Sequence, residues 1–433
     1  MSQQPEDATS AHRKLVVASA IGAAIEHFDF FCYAFIAPIA FSSAFFPKMD
    51  SLARNLAVYA TFAVGFAARP LGGIVFGHIA DRLGRRRVLI LTLLLMGIAS
   101  ALIGCVPSYA SIGLAAPILL VTLRFIQGFA FGGEYMNAVT LTLEGAPTGR
   151  RGLFASSINA SGPAGVIAAS GTIAAMTAAM GSVAFGEWGW RIPFICSAFF
   201  AAYGLYLRLQ LPESGLFNKA KSQPNPVTAK RAAPIIEVLH NWKLPVLRAA
   251  LINMVHSSFQ YLCSVFVLGY AVNHLNMSAA GITSGNTIAN ILELALVPLI
   301  AIGSDRWGRR KPLLLGIGLA GVLFPLLMGQ LESKDLMGVV IGIVVGVGLV
   351  HALMFAPEAA FSSEQFPTEV RVSGGSLGKQ LGIVFGGGCA PLIATALVGG
   401  QSDLSPVTVY FELIVAAAFL VIWFTPESFK KSL

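Results

Sequence analysis

An all-α membrane protein of twelve crossing helices in two related six-helix bundles is the fold that three features of this sequence predict. The first is composition. The chain has 433 residues, 55% of them hydrophobic and 12% charged, with a mean hydropathy of +0.73, whereas soluble domains carry about 25% charged residues. A water-soluble globular fold is thereby excluded. The second is segmentation into long apolar runs. A crossing takes roughly 20 apolar residues, so a crossing plus its loop occupies about 36 and the chain holds about twelve. Such runs are twice the length of a barrel strand and lack its alternation, so they are helices. The third is an internal repeat.

In chain order the runs fall at 15–41, 55–79, 88–106, 114–143, 153–180, 190–210, 246–272, 282–302, 312–329, 337–363, 373–398 and 407–424. Arg13 and Lys14 precede the first run as in a signal peptide, yet Glu26 and Asp29 interrupt it and more spans follow, so it reads as an uncleaved first span. Lys and Arg set the orientation. Of 29, those on the side of both termini number 22: Arg13, Lys14, Arg82, Arg85 to Arg87, Arg150, Arg151, seven from Arg208 to Arg248, Arg306, Arg309, Arg310, Lys311, Arg371, Lys430 and Lys431. Lys48, Arg54, Arg191 and Lys334 lie opposite, and Arg69, Arg124 and Lys379 remain inside the hydrocarbon zone. Both termini are therefore expected in the cytoplasm, at an inner membrane. The division is a tail at 1–14, a bundle at 15–210, a cytoplasmic loop at 211–243, a bundle at 244–424 and a tail at 425–433. Ile235, Ile236, Leu239 and Trp242 in the loop have the spacing of an amphipathic surface helix. The five cysteines, Cys32, Cys105, Cys196, Cys263 and Cys389, are scattered in apolar stretches and read as isolated buried thiols.

The halves repeat each other. Asp81-Arg82-Leu83-Gly84-Arg85-Arg86 recurs as Asp305-Arg306-Trp307-Gly308-Arg309-Arg310, 224 residues on, and Glu144-x-x-Pro147-x-x-x-Arg151 as Glu364-x-x-Pro367-x-x-x-Arg371, 220 residues on. Two motifs at nearly one displacement indicate duplication. Repeated halves related by a pseudo-symmetry axis, with a site near the membrane midplane between them, are a feature of secondary transporters.

The two Asp-Arg loops resemble the signature of the major facilitator superfamily. Further strings resemble its metabolite:proton symporter branch: Glu26-His27-Phe28-Asp29-Phe30, Gly65 to Gly73 (GFAARPLGG), Arg124-Phe125-Ile126-Gln127-Gly128, Gly132-Gly133-Glu134 and Trp188 to Phe194 (WGWRIPF). The branch contains carriers for shikimate, α-ketoglutarate, citrate and proline or betaine. The resemblance implies proton-coupled uptake of a small organic acid by alternating access. A zwitterion such as proline or betaine is an alternative cargo, and a proton-driven efflux antiporter an alternative mode. It implies a small molecule and a proton as ligands, membrane lipid around a functional monomer, no nucleic acid and no cofactor. No metal motif, nucleophile elbow or phosphate loop suggests an enzyme. His27 stands where the branch usually has an aromatic residue, and Tyr135-Met136-Asn137 where it has Trp-Gly-Gly.

Ionisable residues at membrane depth normally face a cavity or a partner. Glu26, Asp29 and Tyr33 share one face of the first helix, where two nearby acids repel and one is expected to hold a proton. Arg124, Gln127, Phe131 and Glu134 form a stripe on the fourth. An arginine cannot release its charge and must find an anion. The resemblance implies that Arg124 reaches Asp29 or Glu26 and exchanges that carboxylate for the cargo's. Proton coupling is accordingly expected at Glu26, Asp29 and Glu134, and cargo binding at Tyr33, Arg124, Gln127, His256, Gln260, His351 and Lys379. Glu293, Glu358 and Glu412 are the other intramembrane acids, and His351 and Glu358, seven apart, face one way. Arg69, before Pro70, is expected to dock helices at least as much as to bind. Asp81, Arg85, Glu144 and Arg151, with Asp305, Arg309, Glu364 and Arg371, are expected to gate the cytoplasmic face through charge pairs and helix termini. Gly374, Gly375, Gly378 and Gly382 allow close helix approach. Ser161 to Gly165 suggests a kink. Trp188 and Trp190 suit an interfacial belt, and Phe28, Phe31, Tyr33 and Phe35 suit a cage for a cationic cargo.

Overall fold

A computed structural model describes residues 5–83, 85–135, 138–139, 151–209, 234–366, 370–399 and 402–427. Twelve helices within it are long and apolar enough to cross a membrane: α1 Ala20–Phe45, α2 Ser51–Phe76, α3 Arg87–Cys105, α4 Ala115–Gly132, α5 Ser156–Met180, α6 Arg191–Leu209, α7 Lys243–Asn273, α8 Ala279–Trp307, α9 Arg310–Glu332, α10 Leu336–Glu364, α11 Ser373–Val398 and α12 Ser405–Trp423. These are the runs read from the sequence, with ends shifted by up to five residues except at the fourth, read as 114–143, whose span ends at Gly132 and whose residues 140–143 lie outside the described set.

The duplication is visible in the packing. In the first half α2 lies on α4, α3 on α6 and α1 on α5; in the second α8 lies on α10, α9 on α12 and α7 on α11. Advancing each helix by six positions converts one set into the other. The halves meet where α5 packs on α8 and α2 on α11, and the same operation exchanges these two seams.

Glycine sets the closest approaches, because backbones can touch only where no Cβ intervenes. A Cβ on Gly382 of α11 would collide with the Ala250 carbonyl and Asn253 of α7, and one on Gly128 of α4 with the Gly65 carbonyl of α2. The helix breaks at Ala160, between segments Arg151–Asn159 and Ser161–Met180, which places a bend just ahead of Pro163. Wide π-turns occur in α1 at Ala37–Phe41, in α7 at Leu262–Phe266, in α10 at Gly346–His351 and in α11 at Val384–Gly388. Each adds a residue to a turn and rotates the helix face beyond it, and such turns are frequent at functional sites.

Some expectations need correction. Trp190 is no interfacial residue: it is fully buried among Phe41, Phe45 and Phe194 under the Arg191 guanidinium, while Trp188 is exposed. The helix between the halves forms at Pro234–Asn241, but Val238 and Trp242 are its docked residues, packing near Ala249, Phe366 and Val370, while Leu239 is exposed. The side chains of Ile235 and Ile236 lie outside the described set. Cys105 is exposed, whereas Cys32 and Cys263 are buried.

The tight α7–α11 seam predicts that Gly382→Val lowers thermal stability in detergent by an overpacking cost of about 1–3 kcal/mol or more. Gly318→Ala, whose Cβ would meet Phe419 at an ordinary 3.9 Å, is expected to leave the unfolding midpoint unchanged or raise it. A fluorescence-detected melt compares the two.

Candidate transport site

A cavity of about 60 Å³ lies between the halves, lined by His27 and Phe31 of α1, Arg69 of α2, Tyr135 just beyond α4, Pro163 of α5, His256, Gln260 and Tyr261 of α7, and Lys379 and Gln380 of α11. That is well above the roughly 10–15 Å³ needed to admit a single water. Toward the end remote from the termini, Phe31 and Tyr261 stack with parallel rings 5.6 Å apart. Beyond them Tyr59 Oη donates to the Val265 carbonyl (3.4 Å) and Asn273 Nδ2 to the Pro38 carbonyl (3.3 Å). Toward the terminal end, the Lys379 ammonium sits 3.9 Å over the Tyr135 ring, Tyr135 Oη donates to Asn159 Oδ1 (2.6 Å), and Asn159 Nδ2 donates to the Phe355 carbonyl (3.0 Å). Side chains of both halves thus bridge above and below the cavity, which is occluded.

Behind the first-half wall lies an ion cluster that the sequence reading did not contain. Arg208 of α6, counted there among the loop cations, is buried. It pairs with Glu26 at 3.3 Å and more closely with Glu134, and Thr92 donates to Glu134 at 3.1 Å. Glu26 and Glu134 are thereby brought onto one guanidinium. The acids that meet are therefore Glu26 and Glu134 rather than Glu26 and Asp29. The signal was the apolar run itself, which continues past Arg208 to Leu211.

Asp29 points elsewhere. Its Oδ2 accepts from Ser100 of α3 (2.8 Å), Ser100 Oγ accepts from Gln127 Nε2 (2.6 Å), and Gln127 Oε1 accepts from Arg124 (3.1 Å). The expected direct contact between Arg124 and a first-helix acid is replaced by a relay through two neutral side chains. Asp29 Oδ1 and two Arg124 nitrogens have no hydrogen-bond partner. The Arg124 guanidinium is held 4.0 Å over Phe30 and 4.1 Å over Tyr33. Tyr33 donates to Thr61 (2.6 Å). Tyr33, Arg124 and Gln127 thus form a layer behind the cavity wall, not its surface.

Arg69 faces the cavity and is 3% exposed. Phe30, Phe66 and Phe131 surround its guanidinium at 4.1 to 4.3 Å. Among the described residues no carboxylate pairs with Arg69 or Arg124, whereas Arg208 has two acids and Lys379 has Glu358 at 2.8 Å.

In the second half His351 Nδ1 is 2.6 Å from Glu293 Oε1, and His351 Nε2 is 3.2 Å from His256 Nδ1. His351 thereby sits one step behind His256. Ser362 bridges Asn253 (3.4 Å) and Glu358 (3.2 Å).

At the terminal end Arg309 binds Asp305 (2.7 Å), Glu364 (3.3 Å) and Ser304 (2.7 Å). Glu427 accepts the backbone N–H groups of Arg309 (3.0 Å) and Arg310 (3.1 Å) at the start of α9, a favourable place for a negative charge. Glu427 was not anticipated, although Pro426-Glu427-Ser428 repeats Pro212-Glu213-Ser214. The side chains of Asp81, Arg85, Glu144, Arg151 and Arg371 lie outside the described residues.

Two six-helix halves enclosing a charged, occluded midplane chamber are the architecture of a secondary transporter. The sequence model of the Major Facilitator Superfamily matches residues 19–377 and 249–433, and the chain belongs to that superfamily. It is 34% identical over 403 residues to the shikimate transporter of Escherichia coli K12, covering 92% of this chain and 91% of that one. It is 34% identical over 435 residues to the inner membrane metabolite transport protein YhjE of the same organism, covering 98% and 96%. With the glycine betaine/proline/ectoine/pipecolic acid transporter OusA of Dickeya dadantii it shares 30% over 434 residues, covering 97% and 84%. Its fold matches the partially occluded inward-open xylose transporter XylE of E. coli with a TM-score of 0.76 at 18% identity, covering 98% of this chain and all of that one. The protein is a multi-pass inner membrane transporter of a small metabolite, not an enzyme.

Removing Arg208 would strand two buried acids, a change that typically costs about 3–5 kcal/mol. Arg208→Met alone is expected to lower the unfolding midpoint in detergent sharply. Adding Glu26→Gln and Glu134→Gln is expected to recover most of the loss, which a thermal melt of the single and triple variants measures.

Proposed function

We propose that this transporter imports a small organic acid together with protons, by alternating access, as a monomer in the lipid bilayer with both termini in the cytoplasm. One observation carries the sign of the cargo: the Arg69 guanidinium borders the cavity with no carboxylate paired to it among the described residues. Aromatic faces attract a cation by about 0.5–2 kcal/mol, less than the several kcal/mol that burial of an ion costs. A cargo carboxylate supplies the missing partner through two charge-assisted hydrogen bonds. His256, Gln260 and Lys379 line the same space, and Gln260 and Lys379 offer donors to the rest of the molecule. The rings expected to cage a cationic cargo are otherwise engaged, since Phe31 stacks on Tyr261 and Tyr33 on Arg124. Similarity to a shikimate transporter supports the same reading.

Proton coupling falls to the acids behind the wall. Glu26 and Glu134 share one guanidinium, so the three groups sum to a single negative charge when both acids are ionised, which leaves room for one proton. Asp29, with one bare oxygen, is wired to Arg124 through Ser100 and Gln127. Protonation there alters the charge balance of the layer directly behind Arg69. On the terminal face, Arg309, Asp305, Glu364 and Glu427 close the gate, and breaking their contacts separates the two states.

The test is uptake into proteoliposomes under an inward proton gradient, across hydroxyacids, oxoacids, aromatic acids and betaines. Carboxylates are expected to accumulate and a protonophore to abolish accumulation. Arg69→Gln is expected to raise the half-saturating concentration at least tenfold, as loss of a charged hydrogen bond costs about 1.5–3 kcal/mol. Preferred uptake of a betaine, unaltered by Arg69→Gln, would overturn the assignment.

A further inference from the structure

We propose that Glu293, His351 and His256 form a second proton site, a linear array that stores a single proton in the second half and exchanges it with the cavity at His256. The proposal builds on the symport reading but rests on hydrogen-bond direction rather than on that reading's acids.

The direction is fixed from outside the array. Glu358 is ion-paired with Lys379 (2.8 Å) and accepts from Ser362 (3.2 Å). The Ser362 proton is committed there, so its oxygen accepts from Asn253 Nδ2 (3.4 Å). Asn253 Nδ2 also donates to the Ala249 carbonyl (2.8 Å), which can only accept. The amide is thereby oriented with Oδ1 toward His256 Nε2, 3.3 Å away. Facing an acceptor, His256 Nε2 must carry a hydrogen. In a neutral imidazole the other nitrogen then accepts, so His256 Nδ1 receives a hydrogen bond from His351 Nε2–H (3.2 Å). With His351 neutral its Nδ1 accepts and Glu293 Oε1 at 2.6 Å supplies the proton; with His351 an imidazolium the same contact is an ion pair and the array still holds one proton. Every contact is satisfied when Glu293 is the protonated acid. A second observation agrees: Glu293 is fully buried and its Oε2 has no partner, a poor setting for a full negative charge.

Discharge follows the same line. The Glu293 proton moves to His351 Nδ1, the Nε2 proton of His351 to His256 Nδ1, and the Nε2 proton of His256 to water in the cavity. One O–H and two N–H bonds break, two N–H bonds form, and one proton leaves. The product holds a lone pair on His256 Nε2 against Asn253 Oδ1, acceptor to acceptor at 3.3 Å. The empty array therefore strains this turn of α7, so proton loss bears on the helix that faces cargo through His256 and Gln260.

The charged and titratable groups around the array are few. Lys379 of α11 and Glu358 of α10 lie beside it, and His27 of α1, Arg69 of α2, Tyr135 and Tyr261 share the cavity. On α12, Glu412 lies against Gly321 of α9 and Tyr410 near Cys389 of α11. The α5 span contains no ionisable residue, and α9 has them only at its ends.

Glu293→Gln tests this, because its amide N–H imitates the protonated acid but cannot be discharged. Protons moved per cargo, measured in proteoliposomes from the zero-flux proton gradient, are expected to fall by one. Cargo exchange at equal pH on both sides, which needs no net proton release, is expected to stay within about twofold of the parent. Unchanged stoichiometry with intact exchange would overturn the proposal. A second measurement needs no variant: histidine nitrogen NMR of the labelled parent protein is expected to show His256 and His351 both neutral with the hydrogen on Nε2. A hydrogen on Nδ1 of His351 with Nε2 bare at neutral pH would overturn it equally. If the parent moves no protons at all, the symport reading fails, and the NMR result still decides whether the array holds its proton.

Discussion

The structure depends on the cost of keeping an ionised side chain away from water. A charged residue at the centre of a membrane helix costs about 2.5–3.5 kcal/mol even on the most lenient scale, so each must find compensation. Among the described residues, the four cations buried within the spans solve this in different ways. Arg208 takes two acids, Lys379 takes Glu358, Arg124 takes aromatic faces and a relay to Asp29, and Arg69 takes three aromatic faces and the cavity. The first two are internally settled. Of the other two, Arg69 alone borders the cavity, with no paired carboxylate among the described residues.

The two halves answer the same constraint with different chemistry. The first uses permanent charge, since arginine keeps its proton and only the acids around it can change state. The second sets hydrogen bonds between histidine, amide and hydroxyl groups beside one Lys379–Glu358 ion pair. Helix pairing is repeated almost perfectly across the duplication, yet the polar residues are not. The scaffold is symmetric and its polar chemistry is divided between the halves.

Much of the fold was legible because hydrophobic length and duplicated loops are local signals. Twelve spans, two halves and the small-residue seam of α11 all follow from patterns within a few turns of chain. The site was less legible, since it depends on which helices meet. Ser100, an unremarked hydroxyl in an apolar run, links Asp29 to Gln127 only because α3 packs against α1 and α4. Arg208 lay at the edge of an apolar run and was counted with the loop, although α6 carries it inward to Glu26 and Glu134. Arg69 beside Pro70 read as docking helices at least as much as binding, and the placement of α2 beside α11 opens it to the chamber. The π-turn of α10 ends on His351 and that of α7 begins at Leu262, just after His256, and no periodicity rule anticipates such shifts in helix phase.

The central claim is that an uncompensated guanidinium selects an anion. Calorimetric titration of the purified transporter in detergent, with a carboxylate cargo and its near-isosteric primary amide, tests it most directly. The account predicts that the carboxylate binds at least tenfold tighter than the amide, whereas equal affinity for the two would contradict it.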